Sequence, residues 1–151
     1  MALTINQPTI GTTTPVQSTS APVPHTRVLA IDDNLDFLKL LKDLLEPSGF
    51  EVHTVSNPVK ALESFQREKD KFGLILLDYY MPQLDGTKTF EWLRKISPQV
   101  KVIVCSGADE LRLRQIQASH KIDGYIHKPF RVKEALELIH RVMRQPMPAT
   151  N

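Results

Sequence analysis

The stretch FGLILLDYYMP, residues 72–82, sets Leu74, Ile75, Leu76 and Leu77 directly before Asp78, followed by two tyrosines, a methionine and a proline. An apolar run of that length belongs in a protein interior, where a carboxylate is costly unless it is paired. It is too short for a membrane span and carries no polar alternation, so it fits a strand buried on both faces. Asp78 then stands where the buried strand ends.

Similar runs recur on either side, at residues 28–31, 50–55, 100–105 and 122–126, and several are β-branched. Helical patterns separate them. Leu35, Leu38, Leu41 and Leu45 are spaced for one helix face, closed by Pro47, Ser48 and Gly49. Asn57-Pro58 predicts an N-cap followed by proline at the first helical position, opening a helix over 59–68. Phe90, Leu93 and Ile96 mark a third helix, stopped before Pro98; residues 111–118 give a fourth, and Ala135, Leu138, Ile139 and Val142 a fifth. Trp92 is expected at the edge of the packed face, because Thr87 and Thr89 occupy positions on the third helix where apolar residues are more usual. Five β-α units in succession predict an α/β fold, with a five-stranded parallel sheet covered on both faces.

The bulk composition agrees. A chain of 151 residues, 24% charged and 41% hydrophobic, suits one soluble domain. The net charge of +2 gives no global reason to expect nucleic-acid binding or membrane insertion. Its distribution is uneven: residues 1–100 hold 10 Lys+Arg against 12 Asp+Glu, residues 101–151 hold 9 against 5. Residues 1–25 contain no Asp, Glu, Lys or Arg and read as a disordered tail; 26–145 reads as the folded domain and 146–151 as a second tail. The single cysteine, Cys105, excludes an internal disulfide and reads as a buried apolar side chain. No stretch has the pattern of a signal peptide, so a cytoplasmic location is the default.

In doubly wound sheets the working site lies at the carboxyl ends of the strands, at a topological switch point. Asp32, Asp33 and Asn34 follow the first strand, Asp78 the third, Ser106 and Gly107 the fourth, and Lys128-Pro129 the fifth. Three carboxylates, a hydroxyl and an ammonium are thus delivered to one edge. Each feature alone is commonly a turn or a helix cap, but chance would have to place all of them together. Two like charges about 4 Å apart repel by roughly 4 kcal/mol at an effective dielectric near 20, so the carboxylates call for a cation. Oxygen ligands without imidazole or thiolate favour Mg²⁺, with Mn²⁺ possible, over zinc. A carboxylate beside such an ion is a competent nucleophile toward a phosphoryl group, and a nearby lysine and hydroxyl suit its equatorial oxygens.

With VLAIDDN, LILLDYYMPQLDG, VIVCSGAD and GYIHKPF in order, at spacings of 45, 28 and 22 residues from Asp33 to Asp78, Ser106 and Lys128, residues 26–144 resemble a CheY-like receiver domain of two-component response regulators. The resemblance implies a flavodoxin-like (βα)5 fold with strand order 2-1-3-4-5. It implies that Asp78 accepts a phosphoryl group from a histidine kinase or phosphotransfer protein. Asp32, Asp33 and Asp78, with the Tyr80 backbone carbonyl, would hold Mg²⁺, Lys128 would contact the phosphoryl group, and its bond to Pro129 is expected to be cis. Ser106 would be the switch hydroxyl and Tyr125 the switch aromatic, altering the face of the fourth helix, fifth strand and fifth helix for a downstream protein. Self-phosphorylation and autodephosphorylation would be its only chemistry. Tyr80, two residues past the acceptor, is placed to hinder attacking water and prolong the phosphorylated state. The surplus of bases, including Arg112, Arg114, Lys121, Arg131 and Lys133, falls near the output face and suits either plain solvation or an acidic partner.

Only QPMPATN follows Arg144, so no DNA-binding or enzymatic output domain is expected within this chain. Two other readings keep the same residues: a receiver that binds partners without phosphorylation, and an aspartyl-phosphate phosphatase of the haloacid-dehalogenase type. The phosphatase needs a second acid two residues past its nucleophile, where Asp32 has Asn34 and Asp78 has Tyr80. A dinucleotide-binding domain is excluded by the absence of a glycine-rich turn after the first strand.

Overall fold

Successive side chains of a strand point to opposite faces of its sheet, and the run at 74–77 divides accordingly. Leu74 and Leu76 pack with Val28, Ala30 and Ile103 in one apolar cluster, Ile75 and Leu77 with Leu29, Ile31 and Val102 in another. All four run residues are at most 1% exposed. The computed structural model describes residues 27–146, so both tails, apart from Pro146, lie outside the described residues.

The elements follow the expected alternation: β1 Arg27–Ile31, α1 Leu35–Leu45, β2 Glu51–Val55, α2 Pro58–Glu68, β3 Phe72–Asp78, α3 Gly86–Ile96, β4 Lys101–Ser106, α4 Glu110–Ser119, β5 Gly124–His127 and α5 Val132–Arg144. The strands form one parallel sheet in the order β2-β1-β3-β4-β5. Helices α1 and α5 bury Leu38, Leu41, Leu45, Ala135, Ile139 and Val142 against one face. On the other face, α2 and α3 bury Ala61, Phe65, Phe90 and Leu93. Helix α4 is attached most lightly, with only Ile116 buried.

The helix starts are fixed by side-chain caps. Asn34 accepts from the Phe37 N–H at 3.0 Å, and Asn57 from the N–H groups of Val59 and Lys60 at 2.9 and 3.1 Å, with Pro58 in the first turn. Asp85 and Asp109 cap α3 and α4 in the same way. After α1 the chain turns at Gly49, whose φ of 90° favours glycine.

Several details differ from the sequence expectation. Leu35 is 67% exposed, although its spacing matches the buried leucines. A helical side chain leans toward the helix N-terminus, so at the first position Leu35 projects beyond the sheet edge. β5 begins at Gly124, because Asp123 is engaged by Val102, whose N–H donates to the Asp123 carboxylate at 2.8 Å while the Asp123 N–H donates to the Val102 carbonyl at 2.8 Å. β2 likewise begins one residue late, Phe50 being held by the Leu45 carbonyl at 3.3 Å. Trp92 is half exposed, as expected, and Thr89 is fully buried with its hydroxyl donating to the Asp85 carbonyl at 3.0 Å.

One buried charge had no sequence signal. Lys101, at the start of β4, donates to the carbonyls of Val142 at 2.7 Å, Met143 at 3.1 Å and Gln145, satisfying the end of α5.

Candidate functional site at the carboxyl edge of the sheet

The sheet order places β1 and β3 side by side, so the chain leaving β1 at Asp32 and the end of β3 at Asp78 meet at one edge. One carboxylate oxygen from each of Asp32, Asp33 and Asp78 lies within 4.8 Å of the others. Asp32 is 2% exposed and Asp78 8%, whereas Asp33 is exposed. Backbone N–H groups orient the two buried acids: Asn34 donates to Asp32 at 2.8 Å and Tyr80 to Asp78 at 3.3 Å.

Lys128 directly follows β5 and is joined to Pro129 by a cis bond. Its ammonium donates to Asp32 and stands 3.9 Å from Asp78. The same nitrogen lies 3.8 Å from the centre of the Phe37 ring on α1, a cation–π contact that steadies the long side chain. Phe37 was not among the sequence candidates. Its role depends on a lysine 91 positions away, and no local pattern reports that.

Asp78 is held protonated to unusually high pH, its pKa pushed up to about 6. Burial is the main cause, Asp32 and Asp33 add repulsion, and Lys128 and the Tyr80 N–H act in the opposite direction. Lys128 alone therefore does not offset the burial and repulsion acting on Asp78. The donor set is oxygen only, partly desolvated and open on the Asp33 side, which fits Mg²⁺ and does not suit a soft metal.

Ser106 ends β4, one residue past the partner of Asp78 across the ladder. It is buried, and its hydroxyl accepts from the Ala108 N–H at 3.2 Å. Its carbonyl accepts from the Lys128 N–H at 2.8 Å and the Tyr125 hydroxyl at 3.0 Å. Tyr125 also reaches the Ala108 carbonyl at 3.3 Å, so the ring on β5 is latched to the loop before α4. Tyr80 is 51% exposed, its ring set edge-on to Tyr79 with centroids 5.6 Å apart. Cys105, beside the site, is fully enclosed and burial pushes its thiol up to about 12, so it acts as an apolar side chain.

The geometry has close counterparts. Residues 28–140 match the family model described as the response regulator receiver domain. The chain is 31% identical to the chemotaxis protein CheY of Bacillus subtilis, over 78% of this chain and 97% of that one. It is 32% identical to the transcriptional regulatory protein CpxR homolog of Haemophilus influenzae, over 83% of this chain but only 53% of that protein. It therefore spans about half the length of that relative, and about a fifth of the Arabidopsis thaliana two-component response regulator ARR12. A CheY-like receiver domain structure from Methanospirillum hungatei superposes with a TM-score of 0.72 at 29% identity, covering 79% of this chain and 94% of that one. Among the described residues no helix is long and apolar enough to cross a membrane. The chain belongs to the receiver domain family of two-component response regulators.

Proposed function

We propose that residues 26–145 form a phosphorylatable receiver, flanked by tails at 1–25 and 146–151, in which Asp78 accepts a phosphoryl group from a histidine kinase or phosphotransfer protein. The observation that carries this reading is the meeting of Asp32, Asp33, Asp78 and Lys128 at one sheet edge. An Asp78 oxygen attacks phosphorus, the bond from phosphorus to the donor's imidazole nitrogen breaks, and its electron pair stays on that nitrogen. The product is an acyl phosphate.

Asp32, Asp33, Asp78 and the Tyr80 carbonyl would hold Mg²⁺, which offsets charge on the phosphoryl oxygens when bound. Lys128 then serves the phosphoryl group instead of Asp32 alone, with its ammonium already held over the Phe37 ring. Ser106 exchanges its bond from the Ala108 N–H for one that it donates to a phosphoryl oxygen. That exchange loosens the loop to which Tyr125 is latched, and passes the change to α4, β5 and α5. This face would meet a downstream protein, with Arg112, Arg114, Lys121, Arg131 and Lys133 suited to an acidic one. The setting is cytoplasmic, with neither direct nucleic-acid contact nor membrane insertion, and chemistry is limited to self-phosphorylation and autodephosphorylation.

Intact-mass spectrometry after incubation with acetyl phosphate and MgCl₂ tests the proposal. One phosphoryl addition is expected on the wild type and none on Asp78→Asn. An unmodified wild type would favour a receiver that binds its partner without phosphorylation.

A further inference from the structure

Tyr79 lies between Asp78 and Tyr80, yet its hydroxyl bonds to neither. Its hydroxyl shares a hydrogen bond of 2.6 Å with the Thr87 hydroxyl in the first turn of α3. It lies 3.2 Å from Nε2 of His120, the residue that ends α4. The His120 ring packs at a tilt against Phe90 and Tyr79, with centroids 4.6 and 6.1 Å away. Burial holds the imidazole below its ordinary range despite Glu91 and Asp85 nearby. The tyrosine is also seated from below. A Cβ on Gly86 would lie 2.4 Å from the Tyr79 ring and 2.5 Å from its carbonyl, and that carbonyl accepts from the Gly86 N–H at 2.9 Å.

We propose that Tyr79, Thr87 and His120 form a positioning strap that fixes the loop carrying the Tyr80 carbonyl and ties that loop to the C-terminal end of α4. The proposal rests on the Mg²⁺ reading of Asp32, Asp33 and Asp78. A metal ligand supplied by a loop backbone costs ordering entropy unless something already holds the loop. Tyr79 provides that hold one residue away, through two hydrogen bonds and a ring set close against Gly86 of α3. Helix α4 buries little of its own surface, so its placement depends on contacts at its two ends. The latch from Tyr125 to Ala108 serves the N-terminal end, and His120 serves the C-terminal end. Because coupling between sites is reciprocal, an ion bound beside Tyr80 must be felt at His120.

The test is an NMR titration of the isotopically labelled full chain with MgCl₂, following the His120 ring and the amides near Asp33 and Asp78. In the wild type, His120 is expected to shift with the same Kd as the site. Tyr79→Phe keeps the ring and removes the hydroxyl; it should bind Mg²⁺ about threefold to tenfold more weakly, the worth of an ordinary hydrogen bond, and its His120 should no longer respond. His120→Ala should match it, whereas His120→Gln, which keeps a partner for the hydroxyl, should stay close to wild-type affinity. A Tyr79→Phe protein that binds Mg²⁺ as tightly as wild type and still shifts at His120 overturns the strap. A wild type in which the site amides do not respond to MgCl₂ refutes the metal reading, and the strap with it.

Discussion

Replacing Asp78 by asparagine in the metal-free protein should stabilise the fold at neutral pH, although it removes the proposed phosphoacceptor. Asp78 has its pKa pushed up from 3.8 to about 6, mainly by burial. A carboxyl group raised in this way binds its proton more tightly in the folded state than in the unfolded chain. Its contribution is therefore fully present below about pH 4 and lost as pH rises through 6. The shift is about two units at roughly 1.4 kcal/mol each, so the ionised group costs the metal-free fold about 3 kcal/mol above pH 7. Asparagine keeps an acceptor for the Tyr80 N–H and carries no charge. Urea denaturation in EDTA, wild type against Asp78→Asn, should show a gap of about 3 kcal/mol at pH 7.5, or roughly 10 °C in Tm, closing toward pH 4. Saturating MgCl₂ should shrink the gap at pH 7.5, because the ion binds the wild-type site better. A gap that is independent of pH, or an asparagine variant less stable than wild type at pH 7.5, would refute the electrostatic reasoning.

Three further outcomes follow from individual contacts. Lys128→Met should raise the Asp78 pKa further, since Lys128 is the largest influence holding it down; carboxyl-carbon NMR across pH 4–9 reads this, and a lower pKa would contradict it. Lys101→Met should cost about 2–3 kcal/mol by leaving α5 carbonyls without their charged donor; urea denaturation measures it, and a neutral substitution would show that water replaces the ammonium. Tyr80→Asn should speed loss of the phosphoryl group severalfold by opening the approach beside Asp78, measured as the decay of the phosphorylated mass after the donor is removed; an unchanged decay would rule out shielding by the ring.

The parts of the fold that could be read in advance are those written locally. A run such as Leu74–Leu77, a cap such as Asn57-Pro58, and an acid or lysine directly after a strand each carry their meaning within a few residues. Once the strands are ordered, Asp32, Asp33, Asp78 and Lys128 must converge, and they do. What escaped depends on partners distant in sequence. Lys101 looks like a surface charge until α5 folds back over it, 41 positions later. The pairing of His120 with Tyr79 spans 41 positions as well, and the sequence holds no periodicity that would bring them together. Arg94 similarly joins Lys121 and Asp123 through bonds of 2.8 and 3.3 Å, a brace from α3 to the chain before β5. Leu35 erred in the other direction. Spacing identifies a helix face, but the end of the sheet decides where that face stops being covered.

The assignment of Asp78 as acceptor is tested most directly by reductive trapping. An aspartyl phosphate reduced with borohydride becomes homoserine, which peptide mass spectrometry locates to a single position. After treatment with acetyl phosphate and MgCl₂, homoserine is predicted at position 78 and at no other carboxylate. Homoserine at position 32 or 33, or a phosphoryl group that resists borohydride on a serine or histidine, would contradict it.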